Sequence, residues 1–107
     1  MEADLKLLSL SLYRFSDKSI LALLNVYTNN CLTHSEYSSC AIDKSDPRNS
    51  NVRVLVADLE EGESRTYGCD VKAFTSRGET TKTTKSIVVT RLSELSCVNT
   101  RFALTFL

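Results

Sequence analysis

The sequence predicts an all-β chain folded as an antiparallel sandwich, and three observations carry that reading. Apolar and polar residues alternate with a period of two through much of the chain. Tyr67 stands two positions before Cys69 and is separated by Ser64-Arg65-Thr66 from the acidic, glycine-containing turn Glu60-Glu61-Gly62-Glu63. The segment bearing that cysteine is followed by a second turn, Thr75 to Glu79 with Gly78, and by a long run rich in β-branched residues, which together read as a hairpin.

Strands are expected at about 5–15, 20–28, 51–59, 65–75 and 80–91. In the first, Leu8, Leu10 and Leu12 alternate with Ser9, Ser11 and Tyr13. Leu and Ala also suit a helix, but the serines fall on alternate positions and nothing caps a helix start. Ser16-Asp17-Lys18-Ser19 is a turn by composition. The second strand is apolar on both sides, with Ile20, Ala22, Leu24 and Val26 on one and Leu21, Leu23 and Tyr27 on the other, so it is either central and covered or part of an association surface. Residues 28–50 are polar and rich in turn formers, include the only proline, Pro47, and are expected to be the least ordered stretch. Val52, Val54 and Val56 mark the third strand. In the fourth, Tyr67, Cys69, Val71 and Ala73 form an apolar face opposite Thr66, Gly68, Asp70 and Lys72, and Ile87, Val88 and Val89 centre the fifth. Beyond Arg91, Leu92 to Cys97 reads as a short helical turn and Phe102 to Leu107 as an apolar end without a motif.

The 107 residues are enough for one domain with a single core. Lys+Arg and Asp+Glu are equal at 13 each, so no long-range field would gather nucleic acid or an anionic membrane surface. No apolar run approaches the roughly 20 residues of a membrane-spanning helix, so no membrane insertion is expected. Four cysteines, Cys31, Cys40, Cys69 and Cys97, suit an oxidising compartment. The acidic start Met1-Glu2-Ala3-Asp4 is not a signal peptide, and the expectation is a reading frame that begins inside a longer extracellular protein.

Four cysteines allow three pairings, and the sequence does not choose among them. A Cys31–Cys40 bridge would be a local staple contributing about 2.7 kcal/mol by loop entropy, while Cys69 to Cys97 would need the end of the chain to fold back across a sheet. Cys31, His34 and Cys40 bring three potential ligands together, one short of a closed zinc site, and Cys31 with His34 is the one conceivable thiol–imidazole pair. No metal, no cofactor and no catalytic residue are expected. Glu60, Glu61 and Glu63 read as solvated turn charge, and Lys82, Lys85 and Arg91 as guards of a strand edge or contacts for an anionic glycan.

Leu59, Glu63, Tyr67 and Cys69, with Val54 and Val56 before them, resemble the E–F signature of the immunoglobulin superfamily over residues 51–91. The run Leu8 to Phe15, then Leu21-Ala22, is further similar to the immunoglobulin-like domains of molluscan secreted defence lectins such as the fibrinogen-related proteins. The resemblance implies a tyrosine corner, in which the Tyr67 hydroxyl bonds back to upstream backbone and pins the turn. It also implies an inter-sheet disulfide to Cys69, whose alternative is a buried thiol. The partner cysteine on strand B would fall at or before Met1, so the sandwich is expected to be incomplete, its first two strands missing and residues 5–15 being strand C. The runner-up alignment makes residues 5–15 strand B and residues 20–27 strand C. Arg65 stands where the signature has Gly or Ala, which predicts a looser corner, and no tryptophan is present, leaving Leu10 or Leu24 to pack on the bridge. The implied function is a non-enzymatic recognition or adhesion module of a secreted or cell-surface protein, binding a protein or glycan in invertebrate innate immunity. A small disulfide-stapled effector or inhibitor presenting the Cys31–Cys40 loop is the alternative. The expected organisation is a partial domain over residues 1–91 and a tail, 92–107, of undefined structure, with unpaired strands open to self-association.

Overall fold

The computed structural model describes residues 6–34, 37–75, 77–99 and 101–106. Their strands are β1 (Lys6–Arg14), β2 (Ser19–Asn25), β3 (Asn30–Thr33), β4 (Ser38–Ala41), β5 (Asn51–Val56), β6 (Arg65–Phe74), β7 (Thr80–Val89), β8 (Ser93–Val98) and β9 (Arg101–Phe106). All pairings are antiparallel. One sheet runs β3-β2-β1-β6-β7 and the other β4-β5-β8-β9, giving a sandwich-like all-β fold.

The five strands expected from periodicity are all present. The end of the chain differs: residues 93–98 are a strand rather than a helical turn, and with β9 they form half of the second sheet. Period-2 burial explains why. Ser93, Leu95 and Cys97 are fully buried and lie opposite Val56, Val54 and Val52 of β5, so two rows of inward side chains interlock along one face. Helix-forming Leu and Glu in that stretch lose to this tertiary pairing. The core face expected to lie bare is therefore covered by β8, and Phe102 and Leu104 of β9 pack against its margin.

Residues 28–50 are more regular than their composition suggests. Two short strands, β3 and β4, occupy the start, and Pro47–Asn49 forms a single 3-10 turn capped by the Asp46 carboxylate, which accepts from the Arg48 N–H. The Asp43 carboxylate accepts from the Ser45 and Asp46 N–H groups, and the buried Ser50 hydroxyl accepts from the Asp43 N–H at 3.0 Å. Turn-forming Asp and Ser thus order a segment that has little core of its own.

Two irregularities reset the faces read from the sequence. Leu8 sits in a β1 bulge between the pairs Leu7–Ala73 and Ser9–Lys72, so Leu7 rather than Leu8 joins Leu10 and Leu12 in the core. Leu21 is the extra residue between Leu12–Ala22 and Tyr13–Ile20, so Ile20 is exposed while Ala22 and Leu24 stay fully buried.

Both disulfides cross between sheets. Cys69 of β6 bonds Cys97 of β8 through the middle of the core, with both cysteines fully buried and Cα atoms 6.0 Å apart. Cys31 of β3 bonds Cys40 of β4 at the margin, with Cα atoms 6.1 Å apart. The expected local staple is there, but it joins the edge of one sheet to the edge of the other.

If β8 is the second layer of the core, Leu95→Ala will lower the unfolding free energy by about 2–5 kcal/mol. The exposed substitution Thr105→Ala on the neighbouring strand is expected to stay within about 0.5 kcal/mol of the parent chain. Urea unfolding of the oxidised protein measures both, and equal effects would contradict the placement of β8.

Candidate functional site

The turn from β5 into β6 organises one end of the sandwich. Glu60 and Glu63 close it reciprocally: the Glu63 N–H donates to the Glu60 carbonyl at 3.0 Å, and the Glu60 N–H donates to Glu63 Oε1 at 3.0 Å. Gly62 takes a positive φ of 80°, the left-handed conformation such a turn requires. Leu59, just before it, packs half-buried against the core.

Arg65 is the clamp of this turn, contrary to the expectation that it would loosen the corner. Its Nε donates to Glu63 Oε2 at 2.8 Å, and its terminal nitrogens reach Asp58 Oδ1 at 2.9 Å, Glu63 Oε1 at 3.3 Å and the Asp58 carbonyl at 3.4 Å. A planar guanidinium binds two acids at once in a way that neither Gly nor Ala can. The pairing with Glu63, first, and then the Tyr67 hydroxyl push the already high Arg65 pKa further up. Tyr67 and Cys69 are both buried, side by side on the inward face. Among the described residues the Tyr67 hydroxyl makes no hydrogen bond to upstream backbone; it faces Arg65, which fastens the turn in its place.

Beside this clamp lies an open cavity of about 470 Å³, lined by residues 14–16 at the end of β1 and 63–66 at the start of β6. The two strands are held together here by the Phe15 N–H donating to the Thr66 carbonyl at 2.9 Å. Arg14 continues the inward row of Leu10 and Leu12 and stands opposite Tyr67. Its Nε is enclosed and has no hydrogen-bond partner among the described residues, an arrangement that costs about 1–3 kcal/mol when a donor stays unsatisfied. Arg14 forms no ion pair among the described residues, although its charge helps to lower the carboxyl pKa of Glu63 and Asp17. The sequence carried a signal for this residue that was missed: an arginine at the next inward position after two buried leucines.

On the outer face of the same sheet, Tyr13 covers Gly68, where an added Cβ would lie 2.6 Å from the tyrosine oxygen. The Tyr13 hydroxyl donates to Asp70 Oδ1 at 2.9 Å, Thr84 donates to the same oxygen at 2.8 Å, and Lys82 stands 3.7 Å from Oδ2. Burial, and then the Asp70 carboxylate, raises the Tyr13 pKa. Lys18 lies over the Phe15 ring, 3.9 Å from its centroid.

The remaining candidates do not converge. Lys82 is on the outer face with Asp70, Lys85 pairs in register with inward Cys69, and Arg91 stacks on Phe106 at 4.4 Å, so the three form no single anionic-glycan contact. Cys31 is bonded to Cys40 and offers His34 no thiolate; the His34 N–H donates to the Leu21 carbonyl at 3.0 Å. Glu61 is exposed on the turn. No helix among the described residues is long and apolar enough to cross a membrane. Two disulfides are consistent with an oxidising environment.

The clamp makes stability depend on acid. The Glu63 carboxyl is held below its ordinary range chiefly by the Arg65 guanidinium, then by the Glu60 N–H, and the Asp43 carboxyl is held low by Ser45 and then the Asp46 N–H. A lowered folded pKa stabilises fully above the unfolded value, about 4, and that stability is lost as pH falls through the folded value. Thermal melts from about pH 6 to pH 2 should therefore show a falling midpoint below roughly pH 4, with a shallower fall in Glu63→Gln; an identical acid limb in the variant would contradict the clamp. Compared with protein-family models, curated proteins and solved structures, the chain matches none.

Proposed function

We infer that the chain is an immunoglobulin-like recognition module of a secreted or cell-surface protein, non-enzymatic, that holds a protein or glycan ligand at one end of its sandwich. The strand arrangement is the observation that carries this reading. In a variable-type immunoglobulin domain one sheet holds strands A, B, E and D and the other holds G, F, C, C′ and C″. The order β7-β6-β1-β2-β3 fits the second set, and β9-β8-β5-β4 fits the first. Tyr67 and Cys69 then lie on F, and β1, hydrogen-bonded to β6, sits at the C position. This favours residues 5–15 as strand C over the alternative as strand B. Strands β8 and β9 stand where B and A belong, reached from the end of the chain, and Cys97 supplies the inter-sheet partner of Cys69.

A twice-stapled scaffold with ligand-facing loops at its ends suits binding more than turnover. The end bearing the Phe15 to Lys18 turn and the Asp58 to Ser64 turn has the cavity and an exposed aromatic, so it is the preferred recognition surface. The Cys31–Cys40 bridge ties β3 to β4 across the sheets, which supports reading it as a scaffold staple rather than a presented inhibitory loop. An invertebrate defence role rests on the sequence resemblance alone.

The test is binding of the oxidised, fluorescently labelled chain to arrays of glycans and of extracellular protein domains, alongside a panel of hydrolase substrates. Saturable binding that disappears on reduction, without turnover, is expected. Turnover of a substrate, or no binding on either array, would overturn the reading.

A further inference from the structure

We propose that the Cys31–Cys40 bridge is a redox latch on the edge of the five-stranded sheet: a dithiol reductant opens it in the folded chain, β3 then leaves β2, and the Cys69–Cys97 bridge keeps the core closed. The proposal concerns the scaffold and does not rest on the recognition-module reading.

The two bridges sit in opposite environments. Cys69 and Cys97 are fully buried between the sheets, so a reductant reaches them only when the core opens. Cys31 is exposed and Cys40 half-buried at the margin, where the bond is approached without unfolding. Access decides which disulfide exchanges first. In the exchange, one thiolate of the dithiol attacks Cys31 Sγ and Cys40 leaves as a thiolate. The second thiolate of the dithiol then attacks its own sulfur in the mixed disulfide, and Cys31 leaves. Two electrons have passed from the dithiol, now a disulfide, to the two cysteines, which take up the two protons it gave up.

What the bridge holds is lopsided. All four residues of β3 are exposed, so the strand brings no buried side chain to anchor it. It lies at the end of its sheet and pairs with β2 alone, from Ala22–Thr33 to Asn25–Asn30. The His34 N–H adds one bond, to the Leu21 carbonyl at 3.0 Å. β4 is held differently: Ser38 and Cys40 are half-buried, Cys40 and Ile42 pack against the core, and the Asp43 carboxylate and Ser50 hydroxyl fasten the loop that follows. A four-residue strand without a buried side chain has too little contact to offset the backbone order it needs. Reduction therefore frees β3 and leaves β4 on β5. Val26 stays, because its side chain packs against the core and its N–H donates to the Leu8 carbonyl at 3.0 Å, so release begins beyond it.

The loss of β3 turns β2 into an edge strand. Its backbone groups from Ala22 to Asn25 are then unpaired on one side, flanked by half-buried Leu21 and Leu23. Such an edge is the template to which an extended segment adds.

Treating the oxidised full chain with graded dithiothreitol at neutral pH, trapping thiols with an alkylating reagent and reading the peptides by mass spectrometry gives the order of opening. Cys31 and Cys40 are expected to be labelled about a hundredfold or more faster than Cys69 and Cys97. Amide hydrogen exchange on the chain reduced at that bridge alone is expected to show protection lost at β3 and His34 and kept in β4, β5, β6 and β8. Cys31→Ser combined with Cys40→Ser fixes the open state without reductant, and is expected to give the same exchange pattern and a cooperative melt. Equal labelling of the two bridges, or earlier labelling of Cys69 and Cys97, overturns the latch. So does β3 protection that survives reduction, or protection lost throughout the chain in either the reduced protein or the double variant.

Discussion

The fold depends on one pairing, the antiparallel register of β8 against β5, because it supplies the second layer of the core. Val52, Val54 and Val56 would face solvent on one flank without Cys97, Leu95 and Ser93 beside them, and Leu10, Leu12 and Leu24 of the first sheet would have only a narrow cover. A large apolar side chain contributes about 1.5–3 kcal/mol only when it is fully buried, and small domains have about 5–15 kcal/mol in total. Losing one layer is therefore of the same size as losing the fold. The Cys69–Cys97 bridge adds to the pairing what the sequence separation of 28 allows, about 3.6 kcal/mol by loop entropy.

Around this core some charged residues do structural work in pairs. Arg65 fastens the β5–β6 turn by satisfying Glu63 and Asp58, and Asp70 gathers Tyr13, Thr84 and Lys82 on the outer face. Arg14 continues the inward row of Leu10 and Leu12, opposite Tyr67. A buried donor without a partner is uncommon, and here it belongs to a residue that lines the same cavity as Glu63 and Arg65.

Much of the first sheet was legible in the sequence because its strands are long and alternate cleanly, as Tyr67, Cys69, Val71 and Ala73 do against Gly68, Asp70 and Lys72. The second sheet was legible only at β5. Strand β8 is six residues long and carries Leu and Glu, which favour helix locally, and its period-2 signal is visible only once Val52 and Val54 are known to need partners. Bulges at Leu8 and Leu21 cannot be read from hydrophobicity, since either neighbour would serve as the core residue. Short β3 and β4 are joined by a disulfide, and the loop after β4 is ordered by side-chain caps such as Asp43 and Asp46, features that leave no apolar pattern. As for the corner, a consensus seen from the sequence treats Arg65 as a misfit; its value appears only with Asp58 and Glu63 placed around it.

The fold and the proposed site meet at the same strands, since β6 holds both the cysteine that locks the core and the residues that wall the cavity. The central claim is that the end of the chain returns across the sheet to close the core. Proteolysis of the never-reduced protein followed by mass spectrometry of the linked peptides tests it most directly. The account predicts that the peptide containing Cys69 is joined to the one containing Cys97 and that Cys31 is joined to Cys40; Cys97 found as a free thiol, or bonded to Cys31 or Cys40, would contradict it.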